Sequence, residues 1–225
     1  AFAMAQQDVR YYLNGLMLEP VSGTLRAVAT DGHRLAMCEL MVDVDDGIDQ
    51  QVIVPRKGVQ ELQRLLEQKD ADIQLEIGSN HIRIITDELR FTSKLIDGRF
   101  PDYQRVMPKN ADKRLMVNRD LLRQALTRTS ILSNEKYRGI RMEISENNIK
   151  IQSYNQEQEE AVEEIDAHYD NEDIVIGFNV TYLLDVLNVI DTDEVEMFLS
   201  DGNSSALINK PGHIDCRYVV MPMRL

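Results

Sequence analysis

The sequence has no tryptophan, only two cysteines and no long apolar run. Cys38 and Cys216 lack CxxC spacing, so they read as two reduced, partly buried thiols in a cytosolic protein. Every apolar stretch is far shorter than a membrane span, and no membrane contact is expected. The opening AFAMAQQD is neither a secretory leader nor a basic transit segment. His33, His81, His168 and His213 show no HxH or HExxH spacing, which argues against a metal site. There is no P-loop, no GxGxxG and no GxSxG elbow, so no cofactor is expected. Positive charge is also in deficit. Twenty-five Lys and Arg face 38 Asp and Glu, a net −13 at neutral pH. That sum favours solubility over non-specific polyanion binding. A basic stripe can still sit inside an acidic total.

What is present is an ordinary globular composition. The 225 residues are 43% hydrophobic and 28% charged, enough for one or two domains with a real core. Short strand patterns alternate with a few helices. YYLNGLMLEP, a Ser22-Gly23 turn and LRAVAT read as strand, turn, strand. DGHRLAMCEL is another strand, and DVDDGIDQ an acidic loop. QVIVP is a strand, followed by RKGVQELQRLLEQ with Val59, Leu62, Leu65 and Leu66 at helical spacing. IQLEIGSNHIRIIT is a hairpin. VNRDLLRQALTRTSIL is a helix that Asn118 can cap. RGIRMEISENNIKIQSY is a strand pair with an Asn-Asn turn. An acidic segment, 156–173, leads to IVIGFNVTYLLDVLNVI, a strand and a helix that Asn179 can cap. VEMFLSDGNSSALI is a hairpin and CRYVVMPMRL a last strand.

The two halves repeat this grammar. VIVPRKGVQELQRLL aligns with IVIGFNVTYLLDVL, LEIGSNHIRI with VEMFLSDGNSSALI, and RYYLNGLML with RGIRMEISE. This is a duplication at domain scale. The second half opens with a strand and the NRDLLRQALTRTSIL helix, where the first has only AFAMAQQD. The chain therefore reads as starting partway through a helix, as a fragment or internal-start product of a longer protein.

The stretch VATDGHRLA places Asp31, His33 and Arg34 within four residues. Two β-rich runs around Asp-Gly make a strong hairpin signal. Gly32 takes positive φ at little cost, and Asp31 tolerates the left-handed region. A catalytic Asp–His pair is the competing reading, but a base and its orienter usually come from separate converging elements. The pairs Asp45/Asp46 and Glu159/Glu160 read as solvated charge in polar loops.

Binding signals are better. In the helix over 118–132, Leu121, Leu122, Leu126 and Thr129 fall on one side. Arg119, Arg123 and Arg128 fall on the other with Asp120. That face is either ordinary solvated surface or a phosphate-facing one. Arg56 and Lys57 open the helix of the first half, with Arg64 further along. Arg10 beside Tyr11 and Tyr12 is an aromatic–basic pairing suited to nucleic acid, or half-buried strand packing. In YVVMPMRL, Val219, Met221 and Met223 alternate on one face. Pro222 confines the run to an edge or a strand end. Two Met beside a Pro make either an adaptable apolar patch or a core strand.

On QDVRYYLNG, VATDGHRLA, VIVPRKGV, FTSKLIDGRFPDY, ILSNEK, FNVTYLLDVLN and YVVMPMRL the chain resembles the β sliding clamps of bacterial DNA polymerase III. The likeness is to their middle and C-terminal domains, of gammaproteobacterial type. The resemblance implies an α+β DNA clamp fold, two repeated domains with helices on one face of antiparallel sheets. A truncated middle domain would span 1–109 and a C-terminal domain 110–225, with the N-terminal domain absent. It implies a non-catalytic processivity factor that encircles double-stranded DNA without reading sequence, as a head-to-tail homodimer, cytoplasmic and nucleoid-associated. It also implies docking of short linear peptides from replicative and translesion polymerases, the clamp loader and mismatch-repair proteins.

By that resemblance one apolar pocket uses Leu13, Thr30, Leu35, Pro101, Val106, Val219 and Met221. Ala206 stands in its wall where a larger aliphatic residue is expected. His33, Asn179, Tyr182, Pro222, Met223 and Arg224 form the adjoining subsite, with Gly32, Arg34 and Arg105 at the rim. Gln7, Arg10, Tyr11, Tyr12, Arg56, Lys57, Arg119 and Arg123 would meet DNA. Ile131 and Leu132 would meet another subunit's first domain, whose absence here keeps the usual ring from closing. The alternative from another class is a hydrolase or transferase using Asp31 and His33.

Overall fold

The computed structural model describes residues 1–21, 23–43, 50–66 and 72–224. Ser22 of the first expected turn and the Asp45/Asp46 pair lie outside the described residues. The chain divides into two units, Ala1–Asp102 and Tyr103–Leu225.

In the first unit, β-branched and alternating apolar runs form β1 (Gly15–Val21), β2 (Thr24–Thr30), β3 (Arg34–Met41) and β4 (Val52–Pro55). They pair antiparallel in the order β4-β1-β2-β3. Helix α1 (Arg56–Leu66) follows β4 directly and buries Val59. A second antiparallel set is β5 (Gln74–Ile77), β6 (His81–Ile85) and β7 (Arg90–Lys94), in that order. The core gathers Ala3, Met4, Leu18, Val52, Val54, Val59 and Ile82. A cavity of about 270 Å³ lies against α1, lined by Ala1, Leu16, Leu18, Val54, Val59, Leu62, Gln63, Ile82 and Ile84. Its near-wholly apolar lining lacks the convergent polar groups of a substrate site.

The second unit opens with β8 (Lys113–Asn118) and α2 (Arg119–Ser130). Then come β9 (Gly139–Ser145), β10 (Asn148–Tyr154), β11 (Glu160–Asp166) and β12 (Ile174–Asn179). After α3 (Val180–Val189) the unit closes with β13 (Glu194–Leu199), β14 (Ala206–Asn209) and β15 (Cys216–Val220). Strand orders are β12-β9-β10-β11 and β8-β13-β14-β15, all antiparallel.

The units repeat order for order. β4-β1-β2-β3 matches β12-β9-β10-β11, β5-β6-β7 matches β13-β14-β15, and α1 matches α3. β8 and α2 have no counterpart among the described elements of the first unit. Among the described residues the fold is α+β, with three α-helices and antiparallel sheets.

Both expected caps form. Asn118 accepts from the Leu121 N–H at 3.0 Å, and Asn179 from the Thr181 N–H at 2.9 Å. Each satisfies an orphan donor of the first turn.

Several expectations are corrected. On α2 the buried stripe is Leu122, Ala125, Leu126 and Thr129, while Leu121 is 49% exposed. Leu121 sits about 100° around from Leu122 and turns off the core. Tyr11–Leu13 form a 3-10 turn ahead of β1 rather than part of a strand. The β9–β10 turn is Glu146-Asn147, because Asn148 already pairs with Ser145 and Asn147 takes φ +55. The acidic segment contains β11, so Glu160 opens a strand instead of lying in a loop. Its charges suit a strand at the end of the β12-β9-β10-β11 order, where carboxylates discourage further pairing. Neither cysteine is a free thiol. Sulfur chemistry follows Cβ separation, which sequence spacing does not report.

Candidate functional site

In the first unit the expected site residues gather at the β2–β3 hairpin tip and the 3-10 segment. Thr30 pairs with Leu35, so Asp31, Gly32 and His33 form the connection and Arg34 opens β3. Gly32 alone takes positive φ there, +90. Asp31 shapes the turn as an acceptor: Oδ1 takes the N–H groups of His33 at 2.9 Å and Arg34 at 3.0 Å. Oδ2 takes Arg34 Nε at 3.1 Å. The Thr30 hydroxyl accepts from the Gly32 N–H at 3.1 Å and donates to the Arg34 carbonyl at 2.6 Å.

The carboxylate therefore serves the turn and the guanidinium. The hydrolase or transferase reading of Asp31 and His33 finds no support in this geometry. A catalytic acid would have to orient the ring across the site. His33 stands exposed at the tip. Arg34 is less of a rim residue than expected. It donates to the Phe2 carbonyl at 3.0 Å, and its guanidinium lies 5.3 Å from the Phe2 ring centroid. Leu13 and Leu35 are core residues, and Pro101 is exposed.

The aromatic–basic segment lies against this tip. Asp8 is fixed by Asn14, whose Oδ1 accepts from the Asp8 N–H at 2.9 Å. The Asn14 amide donates to the Asp8 carbonyl, also at 2.9 Å. Arg10 grips Asp8 with Nε at 3.0 Å and Nη2 at 2.8 Å. Those hydrogen bonds hold the Asp8 carboxyl down at about 2. Tyr11 is exposed, with its ring edge-on to Tyr12 at 5.8 Å. Gln7 is exposed with φ +73. Arg56 donates to the Met4 carbonyl at 2.8 Å, so it braces the core, while Lys57 is exposed.

In the second unit Asn179 links its cap to a neighbouring loop by donating to the Tyr137 carbonyl at 3.3 Å. The Met223 N–H donates to the Gly177 carbonyl at 2.8 Å. A Cβ on Gly139 would lie 3.7 Å from the Met223 methyl. Asn179, Tyr137, Gly139 and Met223 thus form one cluster. Tyr137 is the member of this cluster that the residue pattern does not single out. It is 56% exposed with Lys136 over its ring, and its signal was its place directly after ILSNEK. Met221 and Pro222 are half-buried, as are Tyr182 and Val106, while Arg105 and Arg224 are exposed. Ala206 and Val219 are fully buried, so they back this region from the core.

The α2 cations are mostly engaged. Arg119 donates to the Ile190 carbonyl at 2.6 Å and pairs with Asp120 at 3.0 Å. Arg128 makes a two-pronged pair with Glu163, both bonds 2.7 Å. Each partner's titration moves accordingly, Arg128 up and Glu163 down. Arg123 reaches Asp120 only at 3.5 Å and keeps 42% of its side chain exposed. Ile131 is 75% exposed, beside half-buried Leu132. Among the described residues no group of His, Cys, Asp and Glu could hold a metal ion. No described helix is long and apolar enough to cross a membrane.

Comparison with known proteins gives one family. A model described as DNA polymerase III beta subunit, central domain, matches residues 1–102, and the C-terminal domain model of the same subunit matches 104–224. The Beta sliding clamp of Pseudomonas aeruginosa is 58% identical over 225 residues, covering 100% of this chain and 61% of its own length. That of Escherichia coli K12 is 53% identical over 224 residues, with the same coverage. The chain thus spans about three-fifths of the length of these curated relatives. A crystal structure of the Pseudomonas aeruginosa sliding clamp bound to griselimycin matches at TM-score 0.96 and 58% identity, covering 100% of this chain and 61% of that one.

Proposed function

The chain belongs to the DNA polymerase III beta-subunit family, the sliding clamps, and on that premise we propose that it is the two-domain portion of a processivity clamp. Residues 1–102 act as the central domain and 104–224 as the C-terminal domain. The ordered match of both domain models to the chain carries this reading. In the whole protein, two subunits join head to tail around duplex DNA, with exposed Ile131 and half-buried Leu132 at the joint. Gln7, Tyr11, Lys57 and Arg123 supply weak, sequence-blind contacts to the duplex. Polymerases, the clamp loader and repair proteins dock short peptides on the hairpin tip and the C-terminal segment. The same residues take griselimycin, by likeness to the Pseudomonas aeruginosa clamp. The protein does no bond chemistry, and it works in the cytoplasm on the nucleoid.

Weak phosphate contact suits sliding, because each contact must break as the clamp moves. Few cations on an acidic chain give that regime, and counterion release makes it salt-sensitive. Fluorescence anisotropy with short duplexes of unrelated sequence tests this. Affinity is expected to be equal across sequences and to fall at least tenfold between about 50 and about 200 mM salt. A marked sequence preference, or binding indifferent to salt, would count against it.

A further inference from the structure

The segment expected to face DNA and the hairpin tip expected to face peptide share one guanidinium. Arg10 holds Asp8 through Nε at 3.0 Å and Nη2 at 2.8 Å, and its own backbone N–H donates to Asp8 Oδ1 at 2.8 Å. The Nη2–Nη1 end of the same guanidinium lies on Gly32. A Cβ there would sit 3.2 Å from Nη2 and 3.4 Å from Nη1, and with φ +90 a side chain at this position would be strained and would press on the guanidinium. Nη2 also approaches the Asp31 carbonyl at 3.5 Å. The arrangement is built rather than incidental, because Asn14 pins the Asp8 backbone by two bonds of 2.9 Å.

We propose that Asp8 is an internal competitor for phosphate at Arg10, and that Arg10 makes DNA contact and ligand occupancy of the hairpin tip antagonistic. This rests on the DNA and ligand readings above. A carboxylate and a phosphate offer a guanidinium the same two-pronged geometry. A phosphate that takes the Nε–Nη2 edge of Arg10 must displace Asp8, which holds that edge. It approaches from solvent, where 48% of the Arg10 side chain is exposed. That draws the guanidinium off Gly32 and leaves the tip without its brace. One group cannot hold both positions, so each ligand weakens the other by the same factor. Protons do not operate the device near neutrality, since Asp8 stays ionised down to about pH 2.

Amide NMR of the chain with a short mixed-sequence duplex tests the link. In the wild type, duplex shifts the Gly32 and His33 signals together with that of Lys57. In Arg10→Gln the Lys57 response persists and the tip response disappears. Asp8→Asn steepens the salt dependence of duplex binding by up to about one ion. Saturating duplex weakens griselimycin about fivefold in the wild type and not in Arg10→Gln. Duplex binding with an unmoved tip, an unchanged salt slope in Asp8→Asn, or tighter griselimycin with duplex each overturns the inference alone. No duplex binding by any of the three proteins overturns the DNA reading and this inference together. Griselimycin indifferent in all three, with duplex bound, overturns the antagonism.

Discussion

Removing residues 221–225 is expected to weaken griselimycin by at least tenfold, a loss of about 1.4 kcal/mol or more, while the fold survives. β15 ends at Val220, and Tyr218, Val219 and Val220 are all buried. The cut therefore spares the core strand. What it removes is Met221, Pro222 and Met223, half-buried on the surface, and the bond from the Met223 N–H to Gly177. Met223 lies against Gly139, beside the Asn179–Tyr137 link. Two deformable thioether side chains give a ligand much of its apolar contact there, because Met repacks around varied shapes. Titration calorimetry measures the loss, and an unchanged far-UV dichroism spectrum checks the fold. Unchanged affinity would exclude the C-terminal segment from the site.

The other large effect is on stability. Phe178→Ala is expected to cost about 3–5 kcal/mol, the range for truncating a buried aromatic. Phe178 is fully buried on β12, opposite Ile140 on β9. The next residue, Asn179, caps α3 and donates to Tyr137. The cavity left behind thus opens one residue from the cap that joins α3 to the Tyr137 loop. Amide exchange at β9 and β12 reads the change, because the most protected amides report the opening free energy of their unit. Protection at those strands within about 1 kcal/mol of wild type would mean that the core collapses around the gap.

The sequence speaks most clearly where local chemistry decides the structure. Asn118 and Asn179 cap their helices because a side-chain oxygen satisfies an orphan N–H wherever the helix is placed. The VIVPRKGV and IVIGFNVT runs became β4–α1 and β12–α3 because strand and helix periodicity are also local. Local pattern misleads where a distant partner decides. Leu121 looks like core by composition, but the sheet beneath α2 selects the stripe one residue on. β11 looks like a polar loop because it is rich in carboxylates, with Glu160, Glu164 and Asp166 exposed, yet β10 supplies its hydrogen bonds. Of the candidate site, residue types were legible and their employment was not. Arg34 read as a groove-rim residue and Arg56 and Arg119 as DNA contacts, but each donates to a backbone carbonyl. The Asp8–Arg10 pair was invisible, because an ion pair two residues apart depends on the turn that Asn14 closes.

The clamp reading is tested most directly by titrating griselimycin calorimetrically into the wild-type chain and into His33→Ala. The substitution should leave the hairpin standing, since the turn uses the His33 backbone N–H together with Asp31 and Thr30. One binding site is expected in the wild type, with affinity reduced at least tenfold, about 1.4 kcal/mol, in the variant. No binding by the wild-type chain, or equal affinity in both, would contradict a ligand-docking surface at the hairpin tip.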